Sequence, residues 1–275
     1  MTRFEFIKMH GLGNDFVIVD VRAGPAPTAA QIRAMADRRR GIGCDQFLTL
    51  KAPAAAGAAV RMDIHNPDGS VAEACGNGTR CVAALLMEQS GDQALTIETV
   101  AGQLDCRRAG DGQIAVDMGP VRLSPADIPL AAAVDSAHVT LADAPYSDAC
   151  CVGVGNPHAV FFVADADAVD LAGVGPRLET HPMFPARANI EFVHLIGPDH
   201  LRMRVWERAA GITQACGSGA CASAVAAARR GLTGRAVMVD LDGGRLQITW
   251  RDDDHVIMAG PTALSFTGAI DLPDA

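Results

Sequence analysis

An internal repeat constrains this chain more than any other feature of its sequence. The segment Ala-Cys-Gly-Asn at positions 74–77 returns as Ala-Cys-Gly-Ser at positions 215–218, so Cys75 and Cys216 lie 141 positions apart. Other segments repeat at nearly the same interval, for example Gly-Leu-Gly-Asn at 11–14 and Gly-Val-Gly-Asn at 153–156. Solenoid repeats have periods of roughly 20 to 50 residues. The longer interval therefore predicts a duplicated domain.

The length of the chain agrees with a duplication. Its 275 residues leave room for two domains of ordinary size, each with its own core. A Gly-Pro turn at 119–120, followed by a Pro- and Ala-rich stretch, predicts where the first domain ends. We expect an N-terminal domain over residues 1–118 and a C-terminal domain over residues 119–261, with residues 262–275 as a tail.

Each half of the sequence has several strand-like patterns around one strong helix signal. The helices are predicted at residues 79–89 and 218–230, and a further helix is predicted at 29–39. The run of three arginines at 38–40 is expected to be the solvated end of that helix, where the helix dipole favours cations. Together these elements predict a mixed α/β (α+β) fold.

The composition excludes several classes of function. The net charge of −9 and the isoelectric point near 5.3 argue against nucleic acid as a partner, since binding a phosphate backbone needs clustered Lys and Arg. No apolar stretch approaches the roughly 18 residues of a membrane span, and Glu5 and Lys8 interrupt the N-terminal apolar segment. We expect a cytoplasmic protein whose eight cysteines are free thiols rather than a disulfide framework.

The scarcity of lysine bears on the cofactor. Lys8 and Lys51 are the only lysines, and neither lies in a glycine- or serine-rich context that could cradle a phosphate. Enzymes that use pyridoxal phosphate hold it as a lysine Schiff base. We therefore expect no such cofactor.

Both repeated cysteines precede a glycine pair that leads into a predicted helix, which puts each sulfur at a helix N-terminus. The free backbone N–H groups there favour the thiolate and can lower a cysteine pKa from about 8.5 toward the range of about 3.5 to 7.5. The same groups can hold a carboxylate. Inverting a stereocentre requires one group to remove a proton and another to return one from the opposite face. The paired thiols thus predict an amino acid held by its α-carboxylate between Cys75 and Cys216.

Three other interpretations fit the motifs less well. The segment after Cys216 matches a loose dinucleotide pattern with Asp240 about twenty residues further on, but the preceding strand is too distant for a tight strand-to-helix turn. Zinc binding by Cys75, Cys81, Cys216 and Cys221 would need closer ligand spacing, so no metal is expected. Nucleophilic catalysis by one cysteine leaves the second motif unexplained. The cysteines outside the repeated motif are expected to pack as small apolar residues.

The chain resembles diaminopimelate epimerases over nearly its whole length. The motifs that carry the resemblance are Met-His-Gly-Leu-Gly-Asn-Asp-Phe at 9–16, Asn-Pro-Asp-Gly-Ser at 66–70, the cysteine segment at 74–81, Gly-Asn-Pro-His at 155–158 and Trp-Glu-Arg at 206–208. The resemblance implies an enzyme without pyridoxal phosphate that interconverts LL- and meso-2,6-diaminopimelate. It also implies two pseudo-symmetric domains, each a mostly antiparallel sheet around a central helix, with the active site in the cleft between them. A tail returning to the first domain and a homodimer are further implications.

The resemblance also implies roles for individual residues. Cys75 and Cys216 correspond to the acid/base pair, while His158 and Glu207 correspond to residues that tune the pKa values of the thiols. The substrate-contacting positions of the family match Asn14, Gln46, Asn66, Gly76, Asn77, Asn156, Asn189, Glu207, Arg208, Gly217 and Ser218. Arg208 could bind a carboxylate through two hydrogen bonds, and Glu207 could accept an ammonium. For His158 the alternative is a histidine that caps a turn after proline.

The sequence departs from the family pattern at three positions. Ala209 replaces a usual glycine, Ile212 replaces a usual glutamate, and Phe266 stands where some members have a tyrosine linked to dimerisation. Three alternatives stay open: a racemase of proline or hydroxyproline, an amino acid binding protein, and an isomerase on the same duplicated fold that works without the cysteines. Arg208 and the asparagines favour a substrate with a second charged end.

Overall fold

The computed structural model describes residues 1–72 and 75–274. The chain divides into two compact units, one formed by Met1–Val116 with Gly260–Ala275 and the other by Asp117–Ala259. Ala74, the first residue of the first repeated segment, lies outside the described residues.

The first unit contains most of its strands before residue 121 and takes one more from the end of the chain. Its strands are β1 (Thr2–Gly11), β2 (Asn14–Asp20), β3 (Gln46–Lys51), β4 (Val60–His65), β5 (Val71–Ala72), β6 (Ala94–Thr99), β7 (Gly102–Arg108), β8 (Ile114–Pro120) and β18 (Ala263–Leu272). Its helices are α1 (Ala29–Ala36), α2 (Gly76–Ser90) and a single 3₁₀ turn at Gly110–Gly112.

The second unit has a similar inventory. Its strands are β9 (Val139–Thr140), β10 (Asp148–Gly153), β11 (Pro157–Phe162), β12 (Asn189–Gly197), β13 (His200–Glu207), β14 (Gly211–Ile212), β15 (Ala236–Leu241), β16 (Gly244–Trp250) and β17 (His255–Gly260). Its helices are α3 (Leu171–Glu179) and α4 (Gly217–Arg229).

The order in which the strands pair is the same in both units. In the first unit β1 pairs antiparallel with β2, β2 parallel with β3, β3 antiparallel with β4, β4 antiparallel with β5 and parallel with β6, and β6 antiparallel with β7. In the second unit β10 to β16 repeat these pairings step for step. The predicted duplication and the mostly antiparallel α+β fold are confirmed.

One helix in each unit is buried on nearly all sides. Ten of the thirteen residues of α4 are buried, as are residues 76–83 of α2. A helix that is apolar all round is typical of a protein interior, and the small side chains of α4 let the surrounding strands approach closely. The prediction of a central helix in each half is confirmed, although α2 begins at Gly76 rather than at residue 79.

Two predictions about the first helix are wrong. Helix α1 ends at Ala36 instead of Arg39, because the Asp37 carboxylate accepts hydrogen bonds from the backbone N–H groups of Arg39 and Arg40 at 2.7 and 3.0 Å. The arginine run therefore follows the helix. Arg38 forms ion pairs instead, as described below.

The tail forms an element that the sequence patterns did not predict. Strand β18 pairs antiparallel with β1, the first strand of the first unit, over nearly its whole length. Most of its residues are exposed, so it lacks the alternation of buried and exposed side chains by which strands are recognised. Helix α3 was also missed, since it is short and contains Pro176.

Candidate active site

Cys75 is the N-cap residue of α2. Its sulfur accepts a hydrogen bond from the backbone N–H of Gly78 at 3.3 Å. A Cβ atom on Gly78 would lie 3.3 Å from that sulfur and 3.0 Å from a methyl group of Leu48. Glycine at this position therefore lets the first turn of the helix approach both the sulfur and β3.

Cys216 has the same position at the start of α4. Its sulfur accepts a hydrogen bond from the backbone N–H of Gly219 at 3.4 Å and lies 3.6 Å from the Ser218 hydroxyl. Unlike Cys75, which is half-buried, Cys216 is only 5% exposed. The prediction that both repeated cysteines lie at helix N-termini is confirmed.

The expectation of a lowered thiol pKa is wrong for Cys216. Burial raises its pKa well above the usual range, and the nearby carboxylates of Glu207 and Glu191 raise it further. The hydrogen bonds from Ser218 and Gly219 act in the opposite direction but do not outweigh these effects. The environment of Cys216 therefore favours the protonated thiol.

Glu207 ends β13 and contacts the cysteine side chain directly. Its carboxylate accepts hydrogen bonds from the side chains of Thr213 and Cys216. Burial raises the pKa of Glu207 against the lowering effect of these two donors. Glu207 and Thr213, both partly buried, thus form one hydrogen-bonded group with the buried Cys216, and only Thr213 was not expected from the sequence.

His158 lies in β11 and is fully buried. Its Nδ1 atom is 2.7 Å from Oε1 of Glu191, and its Nε2 atom is 2.7 Å from Oδ1 of Asn156. The short loop between β10 and β11 carries Asn156, at the position that the repeat aligns with Asn14. Two of the predicted site residues, Asn156 and His158, are therefore in contact.

In the first unit, Asn14 contacts Asn77 instead. The Asn77 amide donates to the Asn14 side-chain oxygen at 3.1 Å, and the Asn14 amide donates to Asp45 at 3.0 Å. Asn77 is the second residue of α2, next to the start of the helix at Cys75. The structure therefore connects Asn14 to the helix that Cys75 caps.

Behind Asn14 lies a network of charged side chains. Asp15 accepts hydrogen bonds from Lys8 at 2.5 Å and from Arg38 at 2.6 Å, and Arg38 also binds Asp45 at 2.6 Å. Burial would raise the pKa of Asp15, but these two cations outweigh it and hold the pKa far below its usual value. The network fixes the beginning of β2, where Asn14 lies.

Gln46 and Asn66 lie at strand ends of the same unit. Gln46 begins β3 and is paired in register with Phe16, while Asn66 follows β4 and donates to the Ser70 hydroxyl at 3.0 Å. Both side chains are half-buried. No described contact joins either of them to Cys75.

The side chain of Asn189 forms hydrogen bonds with backbone groups of two other segments. Its amide donates to the Pro157 carbonyl at 3.1 Å, and its oxygen accepts the backbone N–H of Arg208 at 2.9 Å. The Arg208 guanidinium donates to the Ala186 carbonyl at 3.2 Å. The structure thus ties the predicted substrate arginine to the start of β12.

A residue that the sequence did not point to, Glu179, fixes the same loop. Its carboxylate accepts hydrogen bonds from the Trp206 indole at 2.7 Å and from the backbone N–H of Ala209 at 3.1 Å. Ala209 has a φ of 63°. Because this left-handed conformation suits glycine best, the structure explains why glycine is usual at this position.

Glu191 is the second residue that was missed. It is fully buried near the start of β12, between the apolar residues Ile190 and Phe192. Glu is almost never fully buried unless it is paired. A charged residue inside an otherwise apolar strand was therefore the signal that could have revealed it.

The remaining predicted residue, Phe266, lies on β18. It is 50% exposed and contacts the edge of Phe6 with a ring separation of 6.0 Å. Leu264 on the same strand is 61% exposed. Among residues 1–72 and 75–274, no helix is both long and apolar enough to cross a bilayer.

Solved structures share the duplicated fold. A PhzF-family phenazine biosynthesis protein from Bacillus anthracis superposes with a TM-score of 0.73 at 15% identity, covering 99% of this chain and 100% of that one. A hydroxyproline epimerase from Agrobacterium vitis with bound trans-4-hydroxy-L-proline gives 0.69 at 16% identity, covering 99% and 93%. At such low identity the likeness concerns the fold alone, which is the racemase and PhzF type.

Sequence relatives narrow the class to one family. The family model described as diaminopimelate epimerase matches residues 6–124 and 150–264. Diaminopimelate epimerase from Rhodospirillum centenum is 59% identical over 266 residues, which cover 96% of this chain and 91% of that protein. The enzyme of the same name from Phenylobacterium zucineum is 51% identical over 270 residues, covering 96% and 97%. The chain belongs to the diaminopimelate epimerase family.

Proposed function

We propose that this protein is a pyridoxal-independent isomerase that interconverts LL- and meso-2,6-diaminopimelate, a step of bacterial lysine and peptidoglycan precursor synthesis. The observation that carries the proposal is the pair of cysteines, each capping the buried helix of one duplicated unit. Family membership over nearly the whole chain supports the choice of substrate.

The proposed reaction uses two bases and no cofactor. One cysteine thiolate removes the α-proton, and the other cysteine thiol gives a proton to the opposite face of the same carbon. Each sulfur ends in the protonation state in which the other began, so no oxidant or second substrate is consumed. The mechanism requires Cys75 and Cys216 to reach opposite faces of one α-carbon.

The environment of Cys216 supports a starting state for this reaction. Its raised pKa favours the protonated form, so Cys216 begins as the proton donor and Cys75 begins as the thiolate. Glu207 tunes the thiol by direct contact, and the charge of His158 lowers the pKa of Glu207. In the reverse reaction Cys216 is the base.

Substrate binding is proposed to follow from the two helix starts and the loops beside them. The backbone N–H groups at Gly76 and Gly217 hold the reacting carboxylate, together with Asn77 and Ser218, because free N–H groups and the helix dipole attract anions there. The other amino acid end of diaminopimelate binds Arg208 through its carboxylate and Glu207 through its ammonium. The other contacts are assigned to Asn14, Gln46, Asn66, Asn156 and Asn189.

Two further properties belong to the proposal. A catalytic pair of thiols must stay reduced, which assigns the enzyme to the cytoplasm. Homodimerisation through the exposed strand β18 is supported by the partly exposed apolar side chains of Leu264 and Phe266. Sedimentation of the wild type and of Phe266→Asp tests this assembly, and a concentration-independent monomer in both would contradict it.

Racemisation of proline or hydroxyproline is the nearest competing function. Two charged side chains that bind a second substrate end, Glu207 and Arg208, argue against it, since a proline site should be more apolar. A binding protein would not need two thiols at helix starts.

One experiment separates these functions. Reduced protein is incubated in deuterated water with LL-diaminopimelate, L-proline or trans-4-hydroxy-L-proline, without added cofactor, and deuterium at the α-carbon is followed. We expect exchange and epimerisation with diaminopimelate only. Exchange with proline but not with diaminopimelate would overturn the proposed substrate, and exchange with neither would favour a binding protein.

A further inference from the structure

Glu191 is a buried charged residue to which the proposed reaction assigns no role. It is 0% exposed, and its Oε1 atom lies 2.7 Å from Nδ1 of His158. Its second oxygen, Oε2, is buried without a hydrogen-bond partner among the described residues. Because burying a carboxylate oxygen without a partner is costly, this arrangement calls for an explanation other than stability.

The carboxylate lies directly beneath the first turn of α4. A Cβ atom on Gly219 would be 2.8 Å from Oε1 of Glu191, so only glycine leaves room for the side chain there. The N–H of the same glycine donates to the Cys216 sulfur at 3.4 Å. Gly219 therefore lies against the buried carboxylate and also donates to the Cys216 sulfur.

The contact with Glu191 also determines the protonation of His158. A carboxylate can only accept hydrogen bonds, so the proton of this contact lies on Nδ1 of the imidazole. The ring is held from both ends, since Nε2 is 2.7 Å from Oδ1 of Asn156. Glu191 therefore fixes both the plane of the His158 ring and the position of one proton. The hydrogen bonds continue from His158 to Asn156, a loop residue to which a substrate contact is assigned.

We propose that Glu191 is a positioning residue for the epimerisation: its carboxylate holds His158 with Nδ1 protonated and places a negative charge beneath the start of α4, so that Cys216 begins as the proton donor. The inference rests on the proposed function. Two carboxylates act on the Cys216 sulfur, Glu207 from β13 and Glu191 from β12, and His158 from β11 acts on Glu207. Cys151 of β10 also lies within the electrostatic range of Glu191.

Alkylation of Cys216 tests the electrostatic part without relying on activity. Cys75→Ala protein is treated with iodoacetamide over a series of pH values, and modification of the Cys216 peptide is measured by mass spectrometry. Glu191→Gln keeps the size of the side chain but removes its charge. The midpoint of the pH dependence of Cys216 alkylation should therefore move to lower pH by about one unit. Glu179→Gln is the matched control, because Glu179 is another buried glutamate of this unit and contacts Trp206 and Ala209 instead. Its midpoint should not move.

A measurement on the wild-type protein tests whether Glu191 holds His158 with Nδ1 protonated. This measurement does not depend on the folding of a variant. Nitrogen-15 NMR of histidine-labelled protein, with His158 assigned by its loss in His158→Gln, should give a protonated Nδ1. A bare Nδ1 would overturn the role of Glu191, as would an unchanged alkylation midpoint in folded Glu191→Gln.

Kinetics completes the test. Glu191→Gln is expected to lower kcat about tenfold with a change in KM below twofold, since positioning acts on proton transfer rather than on binding. A rise in KM at unchanged kcat would assign Glu191 to binding and overturn the inference. If diaminopimelate shows no exchange but the midpoint still moves, the substrate proposal fails while the effect of Glu191 on Cys216 stands.

Discussion

At the scale of single residues, Cys216 illustrates how burial can outweigh a helix dipole. The dipole contributes about half a unit charge at the helix start, and one N–H of α4 donates to the sulfur. Against this stand near-complete burial and two nearby carboxylates, which raise the thiol pKa. A helix N-terminus therefore suits a proton donor as well as a thiolate, depending on what surrounds it.

The two cysteines are expected to be equally necessary. Cys75→Ala and Cys216→Ala should each lower the kcat of epimerisation by at least about 10³-fold, since each removes one of the two proton-transfer groups. Steady-state assays in both directions measure the loss. Cys106→Ala, which removes a buried thiol of β7 outside the repeated motif, serves as the control. Near-normal turnover in either single variant would refute the two-base mechanism.

Ala209 should be a strained residue. Its φ of 63° costs an alanine roughly 1 kcal/mol relative to glycine. Ala209→Gly is therefore expected to raise the free energy of unfolding, or at least not to lower it, in urea titrations. Ala210→Gly is the matched control and should be destabilising, because that residue does not have a positive φ. Equal losses in both variants would contradict the strain.

At the scale of secondary-structure elements, strand β2 is fixed at its beginning by charge and along its length by burial. Residues 16–19 are fully buried, while Asp15 binds Lys8 and Arg38. This network anchors the strand that carries Asn14. Element and site are therefore stabilised by the same ion pairs.

The network predicts a pH-dependent stability. Asp15→Asn should destabilise the protein by about 3–5 kcal/mol at pH 7, because Lys8 would be left buried without its partner. Since the folded pKa of Asp15 is lowered, its contribution is complete above the unfolded pKa of about 3.9 and is lost as pH falls toward the folded value. Urea unfolding of the wild type and of Asp15→Asn measures the difference between their free energies of unfolding, which should be smaller at pH 3 than at pH 7.

Asp20→Asn provides the control at the other end of β2. Asp20 pairs with Arg22, and both side chains are substantially exposed. Exposed pairs contribute about 0–1 kcal/mol, so this variant should change stability little. A comparable loss in both variants would contradict a special role for the buried network.

At the scale of the whole molecule, the duplication produces two units with identical strand pairings but different sulfur environments. Cys75 is half-buried, whereas Cys216 is almost fully buried beside Glu207 and Glu191. A reaction that needs two opposite protonation states benefits from such a difference. In the proposed mechanism, duplication supplies the pair of thiols, and divergence of their surroundings assigns their starting roles.

The two-base proposal predicts sensitivity to oxidation. If both sulfurs act on one α-carbon, mild oxidant should join Cys75 and Cys216 in a disulfide and abolish activity, and dithiothreitol should restore it. Mass spectrometry of non-reduced peptides identifies the bond. Activity that survives oxidation, or that reductant does not restore, would argue against close approach of the two thiols.

The sequence by itself determined the features that depend on local pattern. The repeat determined the duplication, and the glycines after each cysteine indicated a helix start beside each sulfur, although the helices begin at Gly76 and Gly217 rather than at residues 79 and 218. These motifs can be recognised in a sequence because a close backbone approach and a helix N-terminus each require particular residues at fixed spacing. The family motifs likewise pointed to His158 and Glu207 as candidate site residues.

The tertiary structure alone decided the electrostatics of the candidate site and the partners of its residues. Glu191 and Glu179 lie far from their contacts along the chain, so no local pattern joins Glu191 to His158 or Glu179 to Ala209. The thiol pKa of Cys216 depends on burial and on charges from neighbouring strands, which only folding brings together. Strand β18 was missed for a similar reason, since its pairing with β1 rather than its own apolar pattern makes it a strand.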